Sequence, residues 1–327
     1  MIALHASHLA RCGHTVVIMT NIVDTVFSLE DKVKINQLKF KGKLGSLFSA
    51  VQQILDADLV VADIIVMACF LYPRSRRKVV LFAQDYDETY YNTLLLKGLI
   101  RLFYYVGLKL CKIPVIAVSH PLANLLRCRF NANVAVVENG VDTSVFYPDS
   151  DKELVAEKSG RKSVLLLSRS DMRKGFDISK AVVGRLLETY SDVFEVWTVG
   201  ENCAGTFADI VHRDFGYVGE ERLRQIMSSA DLFLYPSRHE GFPLMVIEAF
   251  RCHCPTVTTR AVPYAEHNEN ALVSDIEDTE SLTRNCITML TDEILVKHIV
   301  HQGYQYASGL SLSTVTNRFE NELLKMN

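Results

Sequence analysis

The chain reads as two runs of alternating strand and helix signals. In the first, residues 2–11 carry apolar positions at helical spacing, and Gly13 supplies the stop. Thr15 to Met19 is an apolar β-branched strand, and Val33 to Leu38 alternates as another. Leu44 to Leu55 predicts a helix, followed by strands at Asp58–Val61 and Lys78–Phe82. A long helix is expected from about Tyr90 to Lys112. Short strands at Pro114–Val118 and Val134–Val137 flank a further helix. Near-continuous apolar strands separated by helices predict a parallel sheet covered on both faces.

The polar segment Asp149-Ser150-Asp151-Lys152-Glu153 after Pro148 marks the expected domain boundary. The alternation then restarts, with strands at Val164–Leu167, Phe194–Val199, Asp231–Tyr235 and Thr256–Thr258. Helices are expected near 178–190, 221–229 and 243–252, and two more after Asp278, the last at about Leu312 to Lys325. Two Rossmann-like domains, 1–148 and 149–310, would place a ligand crevice at the carboxyl ends of their strands.

Composition narrows the classes. A chain of 327 residues, 49% hydrophobic, can bury two ordinary α/β cores. A net charge of -3 offers no basic field for nucleic acid. The eight cysteines follow no disulfide spacing, and no signal-peptide core or uncharged membrane-length run is present, so a cytosolic protein is expected. Cys252-His253-Cys254 is too tightly spaced for a usual zinc knuckle and has no second ligand pair, so packing is expected there and no metal.

The chemistry concentrates at His239-Glu240-Gly241-Phe242-Pro243-Leu244-Met245-Val246-Ile247-Glu248-Ala249, just after the strand that ends at Tyr235-Pro236-Ser237. Pro243 suits a first helical turn, whose free N–H groups and dipole attract an anion such as a diphosphate. Glu240 precedes the helix and Glu248 lies within it, so the two acids can reach different ends of one ligand. Ser168-Arg169-Ser170-Asp171-Met172-Arg173-Lys174-Gly175 ends the first strand of the second domain and brings cations suited to phosphate oxygens.

Together these segments resemble retaining glycosyltransferases of family 4, which have the GT-B fold of two facing Rossmann-like domains. The match runs through Glu240-Gly241-Phe242-Pro243-Leu244, Glu248-Ala249, Pro255-Thr256-Val257, the Arg169…Lys174-Gly175 loop and Asn139-Gly140-Val141-Asp142 with Phe146 and Pro148. The resemblance implies that Glu240 faces the donor sugar and that Glu248 binds ribose hydroxyls. It also implies that Arg169 and Lys174 bind the diphosphate, with Gly241, Phe242, Pro243 and Leu244 shaping that end of the site. Gly216-Tyr217-Val218-Gly219 would lie beneath the base, with backbone groups of Tyr217 and Val218 at its edge. The last helix, 311–327, would cross back onto the first domain. The substrates implied are a nucleotide-sugar donor and a glycan or lipid-linked acceptor, with no cofactor and no obligatory metal.

The first domain would supply the acceptor side through Gln84, Asp85 and His120. Members often have His-Asp where this chain has Gln84-Asp85, and Gln cannot titrate, so proton transfer from that position is excluded. Gln84-Asp85-Tyr86 followed by an acid resembles a rhamnosyltransferase-like subset from surface-polysaccharide assembly. Asp85 reads equally well as a cap near Thr89, and His120 as part of a helix start. Residues 93–112 mix aromatics with Lys97, Arg101, Lys109 and Lys112, as a helix on an anionic membrane would, or as one covering a sheet.

The chain also departs from the family. Members open with a strand and a Gly-rich loop before the helix that ends here at Gly13-His14, so the first domain is expected without that strand and loop. An upstream start and an impaired product both stay open. Ser168 and His253 stand where glycine is usual, and Tyr264 where Glu is frequent. Two other readings compete with the transferase: a non-catalytic GT-B-like subunit, and a nucleotide-sugar epimerase on the same fold.

Overall fold

The computed structural model describes residues 1–20, 29–38, 45, 49–50, 52, 57–75, 78–190 and 193–326. Most of the expected 44–55 helix lies outside them. The chain divides into two compact units, Met1–Gly140 with Leu312–Asn327, and Val141–Ser311.

The described strands of the first unit form two parallel sheets. One pairs β1 (Val16–Thr20) with β2 (Val33–Gln37); the other has the order β3 (Val60–Ala62), β4 (Val79–Ala83), β5 (Val115–Ala117), β6 (Val134–Val136). The helices are α1 (Ile2–Arg11), α2 (Ile65–Leu71), α3 (Leu94–Tyr104) and α4 (His120–Phe130). The expected long helix is shorter. Residues 87–90 form a separate 3-10 turn, Thr93 Oγ1 accepts from Leu96 N to start α3, and the helix widens into a π turn over Tyr105–Leu110. Ser119 caps α4 by accepting from Leu122 N, and Asn131 ends it in the left-handed region.

The second unit holds one six-stranded parallel sheet of order β12-β11-β10-β7-β8-β9. Its strands are β7 (Lys162–Ser168), β8 (Phe194–Gly200), β9 (His212–Asp214), β10 (Leu232–Tyr235), β11 (Thr256–Thr259) and β12 (Leu272–Ser274). Around it lie α5 (Lys152–Glu157), α6 (Phe176–Tyr190), α7 (Glu220–Ser229), α8 (Leu244–Arg251), α9 (Thr279–Thr291) and α10 (Glu293–Ser308). Val164, Leu166, Val182, Leu186, Val196, Leu234, Val257 and Leu282 form its core. Two expected helices after Asp278 become three, because Asp292 breaks the run: its carboxylate accepts from Ile294 N and Leu295 N and starts α10 afresh.

The second unit begins at Val141, ahead of the expected boundary after Pro148. Val141 N donates to Leu310 O at 2.9 Å, and Arg224 ties the segment down through Val145 O at 3.0 Å and the Asp149 carboxylate at 2.9 Å. The polar run at the expected boundary is a helix start, with Asp151 accepting from Glu153 N and Leu154 N.

The last helix, α11 (Leu312–Met326), packs within the first unit. Phe319 lies 5.0 Å from Phe82 of β4 and stacks at 4.0 Å on His5 of α1. Burial pushes the His5 imidazole down to about 3, so it sits there as a neutral ring.

Candidate active site

The second unit assembles the site from the carboxyl ends of β7 and β10. After β7, Asp171 accepts from Arg173 N and pairs with the Arg173 guanidinium at 2.7 Å, which closes a tight turn over Met172–Lys174. Arg173 is thereby held beside Asp171, while Lys174 reaches across to the loop after β10. Lys174 Nζ donates to Glu240 Oε1 at 2.9 Å and Oε2 at 3.0 Å, and lies 3.2 Å from Tyr235 Oη. Tyr235 donates to Glu240 Oε1 at 2.6 Å. Ser237 Oγ lies 2.7 Å from that same oxygen and 2.8 Å from Arg173 O, so its one proton is shared between them.

The Glu240 side chain is only 7% exposed, and three donors converge on it. A buried carboxylate is tolerable only when so paired. Burial and the Glu240 charge push the Tyr235 phenol well above its usual range, which keeps it a donor. Arg169, one residue past β7, donates to Tyr217 Oη at 3.2 Å and stacks over that exposed ring. Arg169–Tyr217 and Lys174–Glu240 are thus two separate pairs on loops at one end of the sheet.

Pro243 is the N-cap of α8 and not a residue of its first turn, with ψ at 119° and no side-chain cap. The consequence expected for the turn is kept, since helical N–H groups begin directly after Gly241-Phe242-Pro243. Phe242 is buried against Tyr264 at 4.4 Å between ring centroids, and the Tyr264 hydroxyl donates to Pro243 O. Tyr264 therefore buttresses the loop from below. Glu248, on α8, is pushed up to about 7 by burial, with the charge of Glu220 adding to the effect. Val218 follows Tyr217 in the segment before α7, and Gly216 O accepts from Gly200 N at 2.8 Å to anchor that segment to β8.

Arg238 is the residue that sequence reasoning missed. Its guanidinium grips both Asp177 oxygens at 2.7 Å, binds Glu277 and donates to Met172 O at 2.6 Å, while its backbone N donates to Arg173 O at 2.7 Å. It clamps the Lys174 loop to the Glu240 loop. An Arg between strand-end Pro236-Ser237 and Glu240 was the available signal, but its partners lie on distant elements.

In the first unit, Gln84 and His120 follow adjacent strands, and Val118 N donates to Ala83 O at 3.2 Å between the strand ends. Asp85 accepts from Tyr86 N at 2.7 Å and Tyr90 Oη at 2.9 Å, so it organises its own turn. His120 is exposed at the first position of α4. The neighbouring Asp87 accepts from Ile65 N at 2.8 Å, and burial pushes its carboxyl up to about 6. In the Cys252-His253-Cys254 run both thiols are buried, and His253 meets Tyr304 edge-on at 4.6 Å.

Two parallel-sheet units, one carrying a cation–carboxylate cluster at its strand ends, define a GT-B architecture. Sucrose-phosphate synthase from Thermosynechococcus elongatus superposes with a TM-score of 0.82 at 16% identity, over 99% of this chain and 92% of that one. Anabaena HepE in complex with UDP-glucose superposes with a TM-score of 0.73 at 16% identity, over 90% and 86% of the two chains. Residues 1–145 match the family model described as Glycosyltransferase Family 4, and residues 161–292 match Glycosyl transferases group 1. The chain belongs to glycosyltransferase family 4. Mannosylfructose-phosphate synthase of Agrobacterium fabrum (strain C58) is 28% identical over 204 residues, 54% of this chain and 44% of that protein. The chain therefore spans under half the length of that relative.

Proposed function

We propose that this protein transfers a sugar from a nucleoside-diphosphate donor to a glycan or lipid-linked acceptor in glycoconjugate synthesis, with retention of anomeric configuration. The Lys174–Glu240 cluster carries the proposal: a cation for a departing diphosphate sits against a carboxylate whose geometry is fixed by Tyr235 and Ser237. Arg169 and Lys174 neutralise charge as the sugar–phosphate bond breaks, a role a divalent ion has in other transferases. Backbone N–H groups after Pro243 take further phosphate oxygens. Glu240 orients the sugar, and its negative charge favours an oxocarbenium-like centre. Glu248 accepts hydrogen bonds from the ribose. Gln84, Asp85 and His120 hold acceptor hydroxyls. The donor complex of a structural neighbour, HepE with UDP-glucose, supports a nucleotide-sugar substrate.

Calorimetric titration of the full chain with nucleoside diphosphates tests this reading. At least one should bind with a Kd between about a micromolar and a millimolar. Affinity should strengthen as pH rises through 7, because ionisation turns Glu248 into a pure acceptor. Glu248→Gln should remove that pH dependence and weaken binding at pH 8 by about 10- to 100-fold. No binding to any of them would leave the non-catalytic reading in place.

Peripheral membrane contact is proposed for the face of α3. Leu94 and Leu95 are 87% and 83% exposed, and Leu99, Leu102 and Leu110 are exposed as well. Arg101 is paired with Glu88 at 2.5 Å, leaving Lys97, Lys109 and Lys112 as the basic contribution. Among the described residues no helix is long and apolar enough to cross a membrane. Sedimentation with anionic vesicles should fall at least tenfold in Leu94→Glu/Leu95→Glu, from the lost insertion of two leucines. Equal sedimentation of variant and parent would refute the contact.

A further inference from the structure

The first unit carries a second cluster of chemistry-bearing side chains, unconnected with the proposed transfer reaction. His8 lies in the last turn of α1 and Cys12 is the C-cap that follows it, and Glu320 faces them from α11. His8 Nε2 lies 3.0 Å from Glu320 Oε2 and 3.5 Å from Cys12 Sγ. His14, just past the left-handed turn at Gly13, brings its Nε2 to 2.8 Å from the other Glu320 oxygen. Among the described residues, His8, Cys12 and Glu320 are the single group of three or more His, Cys, Asp or Glu side chains whose ligand atoms lie within 4.8 Å of one another.

We infer that His8, Cys12 and Glu320 form a zinc site that fastens the N-terminal helix to the C-terminal helix. The geometry fits. Zinc bonds of about 2.0–2.3 Å in a tetrahedron place ligand atoms roughly 3.3–3.7 Å apart. The observed 3.0 and 3.5 Å separations need only a few tenths of an ångström of opening. The donor set also fits, since one thiolate, one imidazole and a carboxylate are ordinary zinc ligands and too soft for magnesium or calcium. Three protein ligands hold the ion and leave its fourth position to water. Spacing alone hides the site, because Glu320 lies 312 positions from His8. On binding, the Cys12 S–H bond breaks, a Zn–S bond forms and the proton leaves to solvent, so uptake releases acid.

The test is titration of the chelator-stripped full chain with Co²⁺, followed by Zn²⁺. One equivalent of Co²⁺ should produce the visible bands of a tetrahedral ion and a near-ultraviolet thiolate charge-transfer band, both bleached by Zn²⁺. Cys12→Ser replaces an exposed thiol isosterically and should abolish the charge-transfer band while leaving the circular dichroism unchanged. His8→Ala and Glu320→Gln should each weaken binding at least tenfold. Zn²⁺ should raise the thermal midpoint of the parent and not of Cys12→Ser. No absorption at one equivalent, or a charge-transfer band that survives Cys12→Ser, would overturn the site and leave the four residues as a hydrogen-bonded clasp.

Discussion

Lys174→Ala is expected to lower the turnover of sugar transfer by about 10²- to 10³-fold, the usual cost of removing one preorganised group that stabilises developing charge. The Lys174 side chain is 25% exposed, and its ammonium is fixed on both oxygens of Glu240, whose side chain is 7% exposed. It therefore needs little reorganisation when negative charge builds on a departing diphosphate. Glu240→Gln keeps the shape and one acceptor oxygen, but it sets an N–H donor against the Lys174 ammonium and removes the charge that favours a cationic sugar, and should cost a comparable factor. The two residues act as one unit, so the double variant should be scarcely worse than either single variant. Lys174→Arg should restore little, because a planar fork cannot replace a point charge between Tyr235 and Glu240. The measurement is kcat and kcat/KM for a donor identified by calorimetry, with circular dichroism confirming the fold. Transfer by Lys174→Ala within about threefold of the parent would remove this cluster from the chemistry.

How legible that cluster was in the sequence depends on how local its parts are. The strands β7, β8, β10 and β11 announce themselves as short apolar runs, and the loops that follow them carry Arg169, Lys174 and Glu240. Spacing cannot show that Lys174 touches Glu240, because the two are 66 positions apart and the contact follows from the adjacency of β7 and β10. Arg238 was invisible for the same reason: Asp177 and Glu277 come from opposite directions along the chain. Two strands went unread. His212–Asp214 is polar and only partly buried, and Leu272–Ser274 is three residues long, so neither offers a period to count. Helix α2 went unread because Ile65-Val66-Met67-Ala68-Cys69-Phe70-Leu71 is apolar throughout, with no polar face to set a helical repeat. Tyr264, flagged only as a departure from the family, turned out to support Pro243 from the core.

Gly175→Ala should be among the most damaging single methyl groups that can be added to the second unit. Gly175 follows Lys174 with φ at 71°, in the left-handed region, where a side chain costs about 1–2 kcal/mol. A Cβ there would also lie 2.0 Å from Pro236 O and 2.9 Å from its carbonyl carbon. Those are backbone atoms at the end of β10, and they cannot swing aside as a flexible side chain would. Relief requires the two loops to part, against the Arg238 N to Arg173 O bond at 2.7 Å and the Ser237 contact at 2.8 Å that hold them together. Strain and lost hydrogen bonds together should exceed about 3 kcal/mol, within the range of severe single substitutions. For a unit of this size that corresponds to a melting-temperature drop of roughly 6–12 °C. Activity should fall with it, because separating the loops withdraws Lys174 from Glu240. Gly205→Ala is the control: its φ of 80° carries the same backbone penalty, but no atom lies within 4 Å of its added Cβ. It should therefore lose only about 1 kcal/mol and keep its transfer rate. Equal melting temperatures for the two variants would mean that the Gly175–Pro236 approach is slack, and that the two loops are not positioned by it.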